Sequence, residues 1–129
     1  MSWPRTPIRL GRLCMALLGV TVVSTALLGN AQAQTTPAEQ ARIEQLLTRL
    51  AQDQHHQFER SGTRYTGSEA ARFLRAKWQA KGGQIRTAEE FVEHIASRST
   101  TTGKPYRVCT APEACVPARE HLIAVLKGL

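Results

Sequence analysis

The sequence predicts a mainly α-helical protein, with about four short helices in one small domain and a two-stranded β ribbon beside them. Three observations predict it. Four windows each join a helix start signal to apolar residues at a 3.6-residue spacing. Two stretches between them alternate large apolar and charged side chains, the strand period. The chain beyond position 33 is long enough for one hydrophobic core and too short for two.

The first helix opens at Thr36-Pro37-Ala38-Glu39, a capping box with proline at the first helical position, and runs to about Asp53 with Ile43, Leu46, Leu47 and Leu50 on one face. His55 and His56 follow as a polar end rather than as a metal site. The second opens at Thr66-Gly67-Ser68-Glu69, aligns Ala70, Phe73, Leu74 and Trp78, and stops after Lys81 at Gly82-Gly83. The third opens at Thr87-Ala88-Glu89-Glu90, whose acids suit the positive end of a helix dipole, and aligns Ala88, Phe91, Val92, Ile95 and Ala96. The fourth follows Pro117 and aligns Ala118, Leu122, Val125 and Leu126. Residues 58–65 and 106–108 supply the alternating fragments expected to pair as the ribbon.

Ahead of this domain, residues 1–33 read as an export signal. Arg5, Arg9 and Arg12 precede an apolar run over 13–28, short of the 18 or more residues of a spanning helix, and Ala31-Gln32-Ala33 offers small residues for cleavage. Cys14 stands at the start of the apolar run, the wrong end for lipidation. The mature chain is therefore expected to begin at Gln34, in the periplasm by the general secretory route, with no stable membrane span. Of the 17 Lys and Arg, three lie in this segment and no acid does, so its removal brings the net charge from +7 to +4.

Cys109 and Cys115 are the cysteines left in the mature chain, and an even count in an oxidising compartment predicts a disulfide. Zinc would need His94 or His121 beside them, and the five-residue gap is not the usual spacing of zinc ligands. No metal or other cofactor is expected.

The stretch Ser97-Arg98-Ser99-Thr100-Thr101-Thr102-Gly103-Lys104-Pro105-Tyr106 sets five hydroxyls before a Gly-Lys pair. It is not a phosphate loop. Arg98 stands where the first glycine belongs, Pro105 stands where the hydroxyl belongs, and the preceding helix offers its carbonyl end. It reads as a polar connection, its hydroxyls satisfying helix-end carbonyls and Gly103 taking a left-handed turn. As a loop of small polar groups on a rigid helix it is also a candidate ligand contact.

The spaced residues resemble a known family. Phe58-x-Arg60-x-Gly62 with Tyr65, then Glu69-Ala70-Ala71-x-x-Leu74-Arg75-x-Lys77-Trp78, then Thr87-Ala88-Glu89-x-Phe91, Ile95-Ala96-Ser97, Ser99 and Gly103-Lys104-Pro105-Tyr106 are similar to the YfeK-like family of small bacterial periplasmic proteins of unknown function. The resemblance runs over roughly residues 38–108. It implies a periplasmic address and a mainly helical fold, and no activity. Where the family pattern has histidine before the Leu-Arg of the second helix, this chain has Phe73, so a scheme resting on an imidazole there does not carry over.

Charge concentrates in the middle of the chain. Arg60, Arg64, Arg72, Arg75, Lys77, Lys81 and Arg86 face one acid, Glu69, across 60–86. Arg72 and Arg75 fall on the outer face of the second helix, where with Arg60 and Arg64 they form either an ordinary solvated face or a patch for an anionic envelope component. Lys77 projects inside the apolar stripe, so its stem packs while its ammonium either reaches the rim or pairs with Glu69 or Glu90 in a network with Arg60 and Tyr65. Ser97 or Ser99 with His94 lacks an oxyanion hole, and Glu69 lacks a second carboxylate.

The sequence thus favours a non-catalytic periplasmic protein that binds another envelope component, anionic or proteinaceous, through Arg60, Tyr65, Glu69, Arg72, Arg75, Lys77, Ser99, Lys104 and Tyr106. A small envelope hydrolase centred on Glu69 with its Arg, Lys and Tyr neighbours is the alternative. Nucleic acid is disfavoured by the compartment.

Overall fold

A computed structural model describes residues 34–129; the expected export signal over 1–33 lies outside the described residues. The order of elements is α1 (Pro37–Gln52), β1 (Gln57–Arg60), β2 (Thr63–Tyr65), α2 (Gly67–Lys81), a 3-10 turn (Gly82–Gln84), α3 (Ala88–Phe91, continued as a π-helical stretch Val92–Ala96), β3 (Arg107–Ala111), β4 (Ala114–Pro117) and α4 (Ala118–Lys127).

α1, α2 and α3 start where their threonine caps place them, while α4 begins after Pro117 without a side-chain cap. The Glu39 amide donates to Thr36 Oγ1, and the Glu90 amide donates to Thr87 Oγ1. At α2 the capping box is reciprocal: the Glu69 amide donates to Thr66 Oγ1 at 3.2 Å, and the Thr66 amide donates back to Glu69 Oε2 at 2.9 Å. At α1 the reciprocal half is redirected. Glu39 Oε2 instead accepts the Ala88 amide at 2.7 Å, so one carboxylate links the starts of α1 and α3.

The fold is α+β, which corrects the mainly helical expectation with its two-stranded ribbon. Four antiparallel strands form one sheet in the order β2-β1-β3-β4. The ribbon was expected from one strand on each side, and each side is itself a hairpin. Ser61 (φ 50°) and Gly62 (φ 81°) both take left-handed conformations, the two-residue turn that reverses the chain between Arg60 and Thr63. The segment around the cysteines is the second hairpin, with Cys109 opposite Cys115 and an irregularity before Ala111 meets Ala114. The expected disulfide joins those two facing residues. Phe58 and Val108 meet in register at the centre, as the expected pairing of the two fragments requires.

The core lies between helices and sheet. Leu74 and Phe91 are fully buried among Ile43, Leu46, Leu47, Phe58, Ile95, Val108 and Leu122. Burying a leucine or phenylalanine contributes roughly 1.5–3 kcal/mol. Two residues of the expected α2 stripe, Phe73 and Trp78, are half-buried at its edge; Trp78 stands edge-on to Phe91 at 5.7 Å between ring centres. α1 and α2 meet closely at Gly67, where a β-carbon would lie 1.9 Å from the Leu50 carbonyl oxygen, so the two helices touch backbone to backbone. Among the described residues no helix is long and apolar enough to cross a membrane.

Candidate functional site

The π-helical end of α3 sets the geometry of a small polar recess. Its carbonyls at the C-terminal end have no intrahelical partners, and an ammonium from another helix supplies one. Lys77 Nζ donates to the carbonyls of Ile95 and Arg98, both at 2.7 Å, and lies 3.5 Å from the Tyr106 hydroxyl. Neither Glu69 nor Glu90 takes part: Glu69 is held by Thr66, and Glu90 accepts the Arg86 amide. Lys77 shares the capping expected of the loop hydroxyls. Ser97 meets that expectation by donating to the carbonyl of Glu93 in the last helical turn, whereas Ser99 Oγ accepts the Thr102 amide.

Beyond Ser97 the polar connection folds back on itself. Arg98 and Pro105 form an isolated bridge, the Ser99 amide donates to the Lys104 carbonyl, and Gly103 takes the expected left-handed turn at φ 70°. This turn brings Ser99, Thr100 and Thr101 up to Lys77 from one side, while β1 delivers Arg60 from the other. Arg60, Phe73, Lys77, Ser99, Thr100, Thr101 and Tyr106 line a recess of about 190 Å³. The Arg60 guanidinium carbon is 5.6 Å from the centre of the Phe73 ring, and Lys77 Nζ is 5.1 Å from that of Tyr106. Phe73 also meets Phe58, Tyr65 and Tyr106 edge-on or tilted, so the aromatic side of the recess is one packed cluster.

Two cations and no carboxylate line this recess. The neighbouring acid on β1, Glu59, is committed to Arg64 and Arg107, each at 3.6 Å on the strands to either side. Burial first, then the nearby Lys81 and Arg60, lowers the Lys77 ammonium to about 8. Burial raises the Tyr106 phenol against the opposing pulls of Arg60 and a hydrogen bond with Ser99.

Of the nine residues singled out in the sequence, Arg60, Lys77, Ser99 and Tyr106 come together here. Tyr65 stands one ring away, edge-on to Phe73 at 5.7 Å. Glu69 does not join them. Its hydrogen bonds with the Thr66 amide and hydroxyl hold its carboxyl below the ordinary value, the opposite of what a general acid needs. The surface patch is also divided: Arg75 pairs with Glu44 of α1 at 2.7 Å, while Arg72 is exposed. The Lys104 side chain is exposed and its carbonyl serves the turn. Phe73, Thr100 and Thr101 also line the recess; the two threonines belong to the loop read from the sequence as a candidate ligand contact, whereas Phe73 was not among the site residues. The two threonines were visible as members of the hydroxyl run, but their convergence on Arg60 is tertiary.

A family model described as a family of unknown function, DUF5329, matches residues 37–129. The chain is 40% identical over 85 residues to a protein of Salmonella typhimurium described as the uncharacterized protein YfeK, an alignment covering 66% of this chain and 71% of the relative. No solved structure matches.

Proposed function

The chain belongs to DUF5329, a family of unknown function, and on that premise we propose that it is a non-catalytic periplasmic binding protein of the cell envelope whose recess beside Lys77 receives one anionic group. The single observation that carries this reading is the convergence of Arg60 and Lys77 with the Ser99, Thr100, Thr101 and Tyr106 hydroxyls around a space without a carboxylate. A carboxylate or phosphate oxygen would gain both charges and several donors there. Its volume is below the roughly 300 Å³ where small-molecule sites begin, so the recess suits one charged group of a larger envelope component rather than a whole free metabolite.

The address rests on residues 1–33, whose basic start, apolar run and Ala31-Gln32-Ala33 have the composition of a cleaved signal. The Cys109–Cys115 disulfide agrees with an oxidising compartment. Glu69, the centre of the alternative hydrolase reading, is spent on its cap.

The test is equilibrium binding of purified protein to vesicles containing anionic phospholipid and to soluble cell-wall fragments. Binding to one of them, weakened about tenfold or more by Arg60→Ala and little changed by Arg72→Ala, is the expected result. Equal binding by wild type and a folded Arg60→Ala variant would sink the recess as the binding site. N-terminal sequencing from a periplasmic extract is expected to begin at Gln34.

A further inference from the structure

We propose that Asp53, His56 and His121 form a binding site for one divalent transition-metal ion, zinc by the chemistry of its donors, separate from the basic recess. The three come from different elements. Asp53 is the C-cap of α1, His56 immediately precedes β1, and His121 lies on α4. One donor atom from each lies within 4.8 Å of the other two, and all three residues are half-buried, accessible to an ion yet held by their surroundings.

The arrangement is built rather than accidental. Asp53 Oδ1 accepts the amides of His55 at 2.9 Å and His56 at 3.1 Å, which turns Oδ2 toward the rings. Oδ2 lies 2.7 Å from His56 Nδ1, and the His56 and His121 ring centres are 4.6 Å apart at 51°. A tetrahedral ion with bonds near 2.1 Å needs donors about 3.4 Å apart, within reach of small side-chain rotations from these positions. The ion would replace the direct contact between Asp53 Oδ2 and His56 Nδ1. Two imidazoles with one carboxylate suit zinc and its neighbours, whereas calcium and magnesium call for an oxygen shell.

Three protein ligands leave a further coordination position. A cavity of about 370 Å³, lined by Asp53 and His121 with Arg49, Gln52 and His55 among others, opens beside them and can admit water or a ligand. The other grouping of donors, Glu59 with Cys109 and Cys115, has no such capacity, because both sulfurs are in the disulfide and neither is a thiolate.

The test is titration of the purified protein with zinc chloride followed by calorimetry, and with cobalt chloride followed by visible absorption. One zinc per chain is expected, with a tetrahedral cobalt spectrum. His121→Ala should weaken zinc binding by at least about tenfold. His94→Ala, at an exposed histidine outside the cluster, should leave it unchanged. If His121→Ala does not fold, His56→Gln reads the same interaction. Absence of binding at millimolar zinc overturns the proposal, and so does wild-type affinity in a folded His121→Ala or His56→Gln protein.

Discussion

The Lys77 ammonium lies 2.7 Å from the Ile95 carbonyl, so a side chain of α2 closes the open end of the helix after it. With the Arg98 carbonyl also at 2.7 Å, one cation satisfies two acceptors that would otherwise face a partly buried recess. Lys77→Met keeps most of the stem's packing and removes both bonds. A loss of about 1–3 kcal/mol in urea unfolding is expected, with Lys77→Arg recovering part of it. A variant as stable as wild type would mean that water replaces the ammonium without cost.

The same group gives the recess a pH dependence. Because the folded value of about 8 lies below the ordinary 10.5, Lys77 loses its proton on the folded protein before it does so in the unfolded chain. Affinity for an anionic group is therefore expected to fall as pH rises through about 8. The penalty of holding a charged Lys77 in the fold is fully present below that pH and disappears toward 10.5. Binding measured from pH 6.5 to 9.5, roughly the span of that titration, would show the fall in wild type and a flat profile in Lys77→Met.

Gly67 tolerates no side chain. With the Leu50 carbonyl oxygen 1.9 Å from the position of its β-carbon, Gly67→Ala must push α1 and α2 apart by moving backbone. A loss of about 3 kcal/mol or more is expected in thermal or urea unfolding, against little change for exposed Ser68→Ala. An unaltered midpoint would show that the two helices can separate freely here.

Glu69→Gln distinguishes capping from chemistry. The Thr66 amide and hydroxyl hold the Glu69 carboxyl below the ordinary 4.5, so its contribution is present above that value and lost as pH falls through the lower folded one. The variant is expected to be less stable than wild type at neutral pH, the difference closing in acid, while anion binding at the recess persists. Loss of binding from a fully folded Glu69→Gln protein would contradict this assignment.

Much of the helical structure was legible because its signals are local. Thr36, Thr66 and Thr87 sit where their caps announce them, and the stripe from Ile43 to Leu50 buries as its spacing requires. The strands were harder. The 58–65 segment alternates as one strand would, and only the left-handed conformations at Ser61 and Gly62 divide it in two. β4 was hidden because Cys115 read only as a disulfide partner and Pro117 as the residue before the fourth helix, not as strand residues facing Cys109 and Arg107. The candidate site was legible as a set of residues and not as a grouping. Arg60, Lys77, Ser99 and Tyr106 were named, but Lys77 chose carbonyls over carboxylates, and that choice depends on where α3 ends. His121 joins His56 and Asp53 across the fold, which spacing along the chain does not reveal.

The Cys109–Cys115 bridge clasps two residues already facing each other in one hairpin, and β4 passes directly into α4. Opening it would leave the contacts between α1 and α2 untouched and loosen the sheet margin from which the last helix departs. Damage by a reductant should therefore begin as fraying at the carboxyl end, exposing Leu122 and Leu126 to proteases while the amino-terminal half stays resistant.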